Sequence, residues 1–383
     1  MKKIEHLPIN WVNGLKLTNR HFFETYYNMV ETMRMNREEN LTDYNYGFGE
    51  SMDNSPDSIK IEVKGDSVET FNVCLKSCNA VTREGYHIVY TPSLYGDYTP
   101  TARLCDVEGD VTTEQILYII LSVNPYKLLP VGIPDTETVP LHHPYALPEI
   151  NLQFVLGSRL NNVFMERNCI IAGKCIAEGN RFAVDELYIP PVQKVCYSKS
   201  LVSFNDFLTS YIKSIHDYSL HICRKNVRDH RRDTLVENTL SLCKVIQHFY
   251  SDSIFDMEHQ LNEMPPVYMV RLVNRLANML LSALRSMPEK EFEVLLQYYN
   301  EWINVKPSEF MGLAEEVAGT VYRHTDIRQS LLKLQEFITT LERLFRKISE
   351  LEYVGLMRDN IIVSEDKGDN RSDNGHKSLS VWE

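Results

Sequence analysis

Between about Asp57 and Pro190, apolar and polar residues alternate along much of the chain, the period of a strand with one buried face. The series Ile59, Ile61, Val63, then Phe71, Val73, Leu75, then Ile150, Leu152, Phe154, Leu156 carry the pattern most clearly. Gly65-Asp66, Gly109-Asp110 and Glu178-Gly179-Asn180 punctuate it with turn formers. These features predict an antiparallel β-sandwich or barrel-like domain.

After Pro190-Pro191 the period becomes helical. Leu201, Phe204, Leu208, Tyr211, Ile215, Tyr218 and Ile222 are spaced by three and four in strict alternation, the heptad seam of a helix. Burying these side chains is worth on the order of 10–20 kcal/mol as an upper bound, far more than helix propensity supplies. The helix therefore needs a partner, which is either another helix of the same chain or another copy; the seam is a candidate oligomer interface. Further helices are predicted over Thr234 to Tyr250, from Pro265-Pro266 onward with Met269, Val273, Leu276 and Leu280 on one face, over Glu289 to Ile303, and near Phe310 to Val321. A second heptad, Ile327, Leu331, Leu334, Ile338, Leu341, Phe345 and Ile348, marks a last long helix. Its stripe either packs back on Val273, Leu276 and Leu280 or docks a partner. From Ser364 the chain is too polar to bury much surface and reads as a disordered tail.

The fold class is thus α+β: an N-terminal segment over 1–22, a β-rich shell over 23–195, a helical neck bundle over 196–305, a short helical C-terminal domain over 306–360 and a tail over 361–383. In 383 residues, 43% are hydrophobic and 24% charged, the balance of a chain that folds into ordinary cores. A net charge of -12 opposes the phosphate attraction of nucleic-acid binders. The eight cysteines form no Cys-x-x-Cys pair and read as reduced thiols of a cytoplasmic protein. The opening MKKIEHLPIN lacks the apolar stretch of a signal peptide. The longest apolar run, Ile116 to Leu121, falls far short of the roughly 20 residues of a membrane span. Membrane contact would therefore come through another protein.

Motifs for catalysis are missing. Gly47-Phe48-Gly49 lacks the third glycine of a dinucleotide loop, and the chain has no Gly-Lys-Ser/Thr, no nucleophile elbow and no His-Glu-x-x-His. Cys74 and Cys78, on a strand, stand ~13 Å apart and cannot share an ion without a bend. His142 and His143 are adjacent in a Pro-punctuated extended segment and diverge, while His216 and His221 are five apart on a helix rather than the four that aligns two ligands. These histidines read as loop or core-edge residues; no cofactor or metal is expected. The basic cluster Arg224, Lys225, Arg228, His230, Arg231 and Arg232 is either a solvated turn or a docking site for an acidic partner. Tyr86, Tyr90, Tyr95 and Tyr98 either line a glycan site or pack a sheet.

Three stretches carry a resemblance. In INWVNGLKLTNRHFF, residues Trp11, Gly14, Leu15, Leu17, His21 and Phe22 fall on a pattern that resembles the opening signature of the TssK family, baseplate subunits of type VI secretion systems. VNPYKLLPVGIPD and VPLHHPYALPEINL, with Asn124, Pro125, Gly132, His143 and Pro144 as anchors, are similar to the family's stretch before the last strands of its β-domain. Tyr188-Ile189-Pro190-Pro191 resembles its exit into the helical neck, and PPVYMVRLVNRLANML its neck helix. Asn13 and Thr18-Asn19-Arg20 depart from the usual pattern.

The resemblance implies a non-enzymatic homotrimer whose shell, related to phage receptor-binding proteins, grips the wedge proteins TssF and TssG while a C-terminal head faces the envelope complex. After Val305 this chain looks too short and too helical for the family's mixed head, which would suit Bacteroidota-type systems. The seven residues from Ile327 to Ile348 are then the expected envelope contact, and Trp11, Leu15, Leu17 and Phe22 are expected to tie the N-terminal segment to the shell or neck. A glycan-binding trimeric tail protein of a phage-like particle is the alternative function, and a hydrolase with residues converging from distant positions is a third.

Overall fold

A computed structural model describes residues 4–52, 55, 57–107, 116–137, 139–160, 168–178, 181–228 and 233–356. Gly109-Asp110, Gly179-Asn180, His230, Arg231, Arg232 and the tail from 361 lie outside the described residues. The chain divides into two compact units. The first comprises Met1–Phe207, Phe255–Arg271 and Thr320–Leu332, and the second Leu208–Ile254, Leu272–Gly319 and Lys333–Glu383. Both units are discontinuous in sequence, because the divisions at 207/208, 271/272 and 332/333 fall inside long helices.

The first unit holds two antiparallel sheets, as the alternation predicts. One is built on β3 (Asn72–Val81), which pairs antiparallel with β1 (Gly47–Phe48), β2 (Ile59–Lys64), β4 (His87–Tyr90) and β5 (Thr101–Arg103). Ile61 pairs with Leu75 and Lys60 with Ser77, so Lys76 is an extra residue in the ladder. That bulge resets the side-chain alternation, so that Phe71, Val73 and Leu75 before it and Cys78 and Ala80 after it all point into the core. The other sheet has the order β7 (Tyr145–Leu156), β6 (Ile116–Val131), β8 (Cys169–Glu178), β9 (Arg181–Val184). Asn124 pairs with Glu149 but Leu128 with Pro148, leaving Pro125, Tyr126 and Lys127 outside the ladder. Neither proline has an N–H to give, so the ladder breaks where they fall.

Phe71 joins the sheets, its ring 5.5 Å from Phe154 and 6.1 Å from Phe182. Tyrosines complete the junction. Tyr95 and Tyr98 donate their hydroxyls to the carbonyls of Pro148 (2.9 Å) and Ile150 (2.6 Å) on β7, an edge strand, and Tyr90 donates to the carbonyl of Tyr98. The tyrosine cluster is therefore spent on internal packing rather than displayed as a glycan platform. Gly47, at φ 109°, lets the backbone of Pro191 approach; a Cβ there would meet the Pro191 oxygen at 2.2 Å. This close approach seats the Pro190-Pro191 exit on β1, with the Phe48 amide donating to that same oxygen at 2.8 Å.

The segment from Thr320 to Leu332 returns to the same unit through His324. The buried imidazole donates from Nε2 to the carbonyl of Tyr46 (2.8 Å) and accepts at Nδ1 from the Tyr322 hydroxyl (2.7 Å), with its ring edge-on to Tyr46. Tyr188 adds a hydrogen bond to the carbonyl of Thr325.

Helix α1 (Asn19–Glu38) lies in the first unit, where the sequence reading placed no helix. The predicted later helices form: α2 (Lys199–Arg228), α3 (Thr234–Phe255), α4 (Val267–Arg285), α5 (Glu289–Ile303), α6 (Pro307–Ala318) and α7 (Ile327–Glu350). In the second unit, α5 ends where Asn304 turns left-handed at φ 52° and α6 starts on Pro307 at its first turn. Asn274 donates to the terminal carbonyls of α6 at Val317 and Ala318, and the Lys225 ammonium to those of Ser349 and Leu351 at the end of α7. Each satisfies acceptors a helix end leaves open.

Burial pushes the His324 pKa down from 6.5 to about 4, against the smaller opposing effect of its bond to Tyr46. The folded state thus prefers the neutral ring: this contribution is complete above pH 6.5 and is lost as pH falls towards 4. We expect stability to drop by up to ~3 kcal/mol across that window, and the drop to shrink in His324→Gln, as read from urea midpoints at pH 7 and pH 4.5. Tyr95→Phe and Tyr98→Phe, which strand one carbonyl each, should cost about 1–3 kcal/mol apiece in the same assay at pH 7.

Candidate interaction surfaces

The N-terminal motif gathers at the start of α1. Gly14, at φ 85°, makes the turn in which the Leu15 amide donates to the Val12 carbonyl. His21 sits in the first helical turn, where its Nδ1 accepts from the Thr18 amide at 3.2 Å, and Trp11 lies edge-on to the His21 ring at 6.2 Å. The expected anchoring is corrected for Trp11, Leu17 and Phe22, which are 53%, 59% and 60% exposed, while Leu15 is half-buried. What holds the segment down lies earlier. The buried Glu31 carboxylate accepts from the backbone amides of Glu5 (3.0 Å) and His6 (3.1 Å), and Asn28 donates to the His6 carbonyl. His6 Nδ1 meets Glu24 Oε2 at 2.9 Å, and its ring packs on Tyr27 and Tyr126.

Tyr126 comes from the break in β6. It donates to Glu31 (3.3 Å), while its carbonyl accepts from Tyr27. Burial, followed by its hydrogen bond with Tyr86 and the Glu31 charge, pushes this phenol's pKa well up. Arg34, also buried, pairs with Glu38 at 2.7 Å and lies over the Tyr86 ring. The inner face of α1 is therefore polar and buried at Glu31 and Arg34. Its apolar stripe, Phe22, Tyr26, Met29 and Met33 at spacings of four, three and four, faces outward, and all but the half-buried Tyr26 are exposed. Sequence reading missed this stripe because Phe23, Tyr27 and Val30 blur the period; the spacing was nevertheless there.

On α2, the buried stripe is Leu201, Asn205, Leu208, Ile212, Ile215, Ser219 and Ile222. Four members of the predicted seam, Leu201, Leu208, Ile215 and Ile222, are thus already covered within the chain, whereas Phe204, Tyr211 and Tyr218 are only half-buried. The stripe turned by one position because two polar residues can sit inside: Asn205 donates to the Met257 carbonyl and the Asn262 side chain, and Ser219 to the His216 carbonyl. The expected envelope stripe on α7 is corrected similarly. Ile327, Leu331, Leu334, Ile338, Leu341, Phe345 and Ile348 are at most 5% exposed, so they are core residues that a partner could reach only by opening the fold.

At the tip of the β6–β7 hairpin, His143 Nδ1 meets the Gly132 carbonyl at 2.7 Å and His142 the Pro140 carbonyl at 3.3 Å. Ile133 and Val139 in that loop are 90% and 99% exposed. His216 stacks on Tyr250 at 3.9 Å. Among the described residues, no three His, Cys, Asp or Glu side chains converge as a metal site, and no helix is long and apolar enough to cross a membrane.

No family model matches the chain, and no curated protein matches it in sequence. Its fold does have counterparts among solved structures. A crystal structure of TssK aligns over 88% of this chain and 69% of its own, with a TM-score of 0.55 at 13% identity. The cryo-electron microscopy structure of the type VI secretion system TssK-TssF-TssG baseplate subcomplex aligns over 88% of this chain and 99% of the matched chain, with a TM-score of 0.53 at 12% identity. A chain of the baseplate complex from the type VI secretion system aligns over 89% and 100%, with a TM-score of 0.50 at 13% identity. The chain has a TssK-like fold: an antiparallel β domain followed by helices.

Proposed function

We propose that this chain is a non-enzymatic baseplate subunit of a type VI secretion system, assembling as a homotrimer in the cytoplasm and holding wedge proteins of the TssF and TssG kind. The observation that carries the reading is the likeness of fold to TssK chains along 88% of the sequence. The outward apolar face of α1 gives that reading a physical locus, since a helix that buries Glu31 and Arg34 and exposes Phe22, Met29 and Met33 leaves apolar area for a partner to cover. Trp11 and Leu17 are exposed as well, and Trp11 is an aromatic of the type that anchors interfaces. Phe204, Tyr211 and Tyr218, half-buried along α2, are the seam residues that a neighbouring protomer would meet. Envelope contact would fall to the outer surface of the helical unit, because the α7 stripe is occupied. The glycan-binding alternative loses its motive with the tyrosine hydroxyls already bonded inside the fold.

Two measurements test this. The tagged chain, co-expressed with the TssF- and TssG-type proteins of its own cluster, should retain both. Phe22→Asp with Met29→Asp should weaken retention by about 30-fold or more, a loss of ~2 kcal/mol, without lowering the melting temperature. Failure of the unaltered chain to retain them would sink the assignment. For the oligomer, mass photometry should give about three times the 44.5 kDa chain mass. Tyr211→Asp with Tyr218→Asp should shift that mass towards the monomer, and an unshifted trimer would place the interface elsewhere.

A further inference from the structure

Strands β5 and β7 lie beside each other where the two sheets of the first unit meet, yet they form no ladder: among the described residues β5 pairs only with β3, and β7 only with β6. Along a strand, successive residues turn their N–H and C=O groups to opposite edges. The Ile150 carbonyl accepts from Tyr98 and so points away from β6, which means that the amides of Leu152, Phe154 and Leu156 point away from it too. The first half of this edge is closed by the hydroxyls of Tyr95 and Tyr98. Nothing among the described residues bonds to the outward amides of the second half. The usual protections of a free edge are missing there as well: the run Leu152 to Leu156 has no proline and no charge, and its ladder with β6 is unbroken. This stretch lines a cavity of about 530 Å³ together with Thr101 and Arg103 of β5, Asp106 and Arg159, a volume within the range of ligand sites. Arg103 and Arg159 have no carboxylate partner among the described residues, and Asp106 is the one acid in the lining. The rim is therefore cationic, on a chain whose net charge is -12.

We propose that the edge of β7 from Leu152 to Leu156 docks an extended acidic segment of another protein, which joins the sheet as an added strand. The segment's backbone takes up the outward amides of Leu152, Phe154 and Leu156 and the carbonyls of Leu152 and Phe154, and its carboxylates meet Arg103 and Arg159. The two kinds of contact divide the work. Main-chain bonds supply affinity that is indifferent to sequence, while the arginines favour an acidic segment over a basic one. A second copy adding its own β7 would set one cationic rim against another, which opposes self-pairing. The site shares no residue with the outward face of α1 and does not depend on the baseplate reading.

Hydrogen exchange on the purified full-length chain, read residue by residue by fragmentation mass spectrometry, tests this with a synthetic peptide of alternating valine and glutamate. In the free protein the amides of Leu152, Phe154 and Leu156 should exchange fast, next to the slow amides of Gln153 and Val155 that face β6. At saturation the peptide should slow all three by about tenfold or more. Methylating every second backbone nitrogen of the peptide should abolish that protection in one of the two possible patterns and spare it in the other, the signature of pairing along one edge. A valine and lysine peptide should give no protection. Arg103→Glu with Arg159→Glu, both exposed, should weaken the acidic peptide by about tenfold with an unchanged melting temperature. Three results would overturn the proposal: outward amides already slow in the dilute free chain, slowing that appears without peptide as the protein is concentrated, which would give the edge to a second copy, or equal protection by the lysine peptide. Unchanged exchange with the acidic peptide at millimolar concentration would overturn it too.

Discussion

A buried carboxylate costs several kcal/mol unless donors surround it, and in this molecule that constraint falls on Glu31. Its helix meets the β domain with a polar face, so the donors must come from elsewhere: the extended backbone of Glu5 and His6, and the hydroxyl of Tyr126 from the broken ladder of β6. The pairing orients everything near it. Once Glu31 and Arg34 face inward, helical geometry sends Phe22, Met29 and Met33 to the other side, and the chain between His6 and Thr18 passes over the surface with Trp11 uncovered. An exposed apolar surface in this region is thus a consequence of how the N-terminus is fastened.

The fold class was legible because its two periods are strong. Phe71, Val73 and Leu75 announce β3, and Ile150 to Leu156 announce β7, while Glu289 to Ile303 marks α5 at both ends, where Glu residues favour the start and Asn304 permits the left-handed stop. What stayed hidden was of two kinds. The bulge at Lys76 and the break at Pro125 depend on which strand lies opposite, and no single strand contains that information. Helix α1 was hidden by a different cause: its inner positions are polar and its outer ones apolar, so the usual rule for finding the buried face points the wrong way.

The heptads teach a related lesson. A seam of Leu, Ile, Phe and Tyr at alternate spacings of three and four shows that a helix will be covered, not what covers it. On α7 the chain covers every position itself. On α2 the covered stripe runs through Asn205 and Ser219, which hydropathy scores as outward; they are admitted because Asn205 reaches Met257 and Asn262, and Ser219 the His216 carbonyl. That rotation leaves Phe204, Tyr211 and Tyr218 half uncovered, aromatic residues whose burial within one chain is incomplete.

The separation between fold and surface also explains how a likeness can extend over 88% of a chain at 12% identity with no family model matching. A core constrains volume, period and the placement of a few breaks, and many side-chain sets meet those conditions. An interface constrains particular side chains against a particular partner, and changes whenever that partner does. Contacts read from a distant structure of the same fold therefore do not transfer residue by residue to this chain. They have to be found where its own packing leaves apolar area unspent, and the face of α1 opposite Glu31 is where the local hydrogen bonding compels such an area to exist.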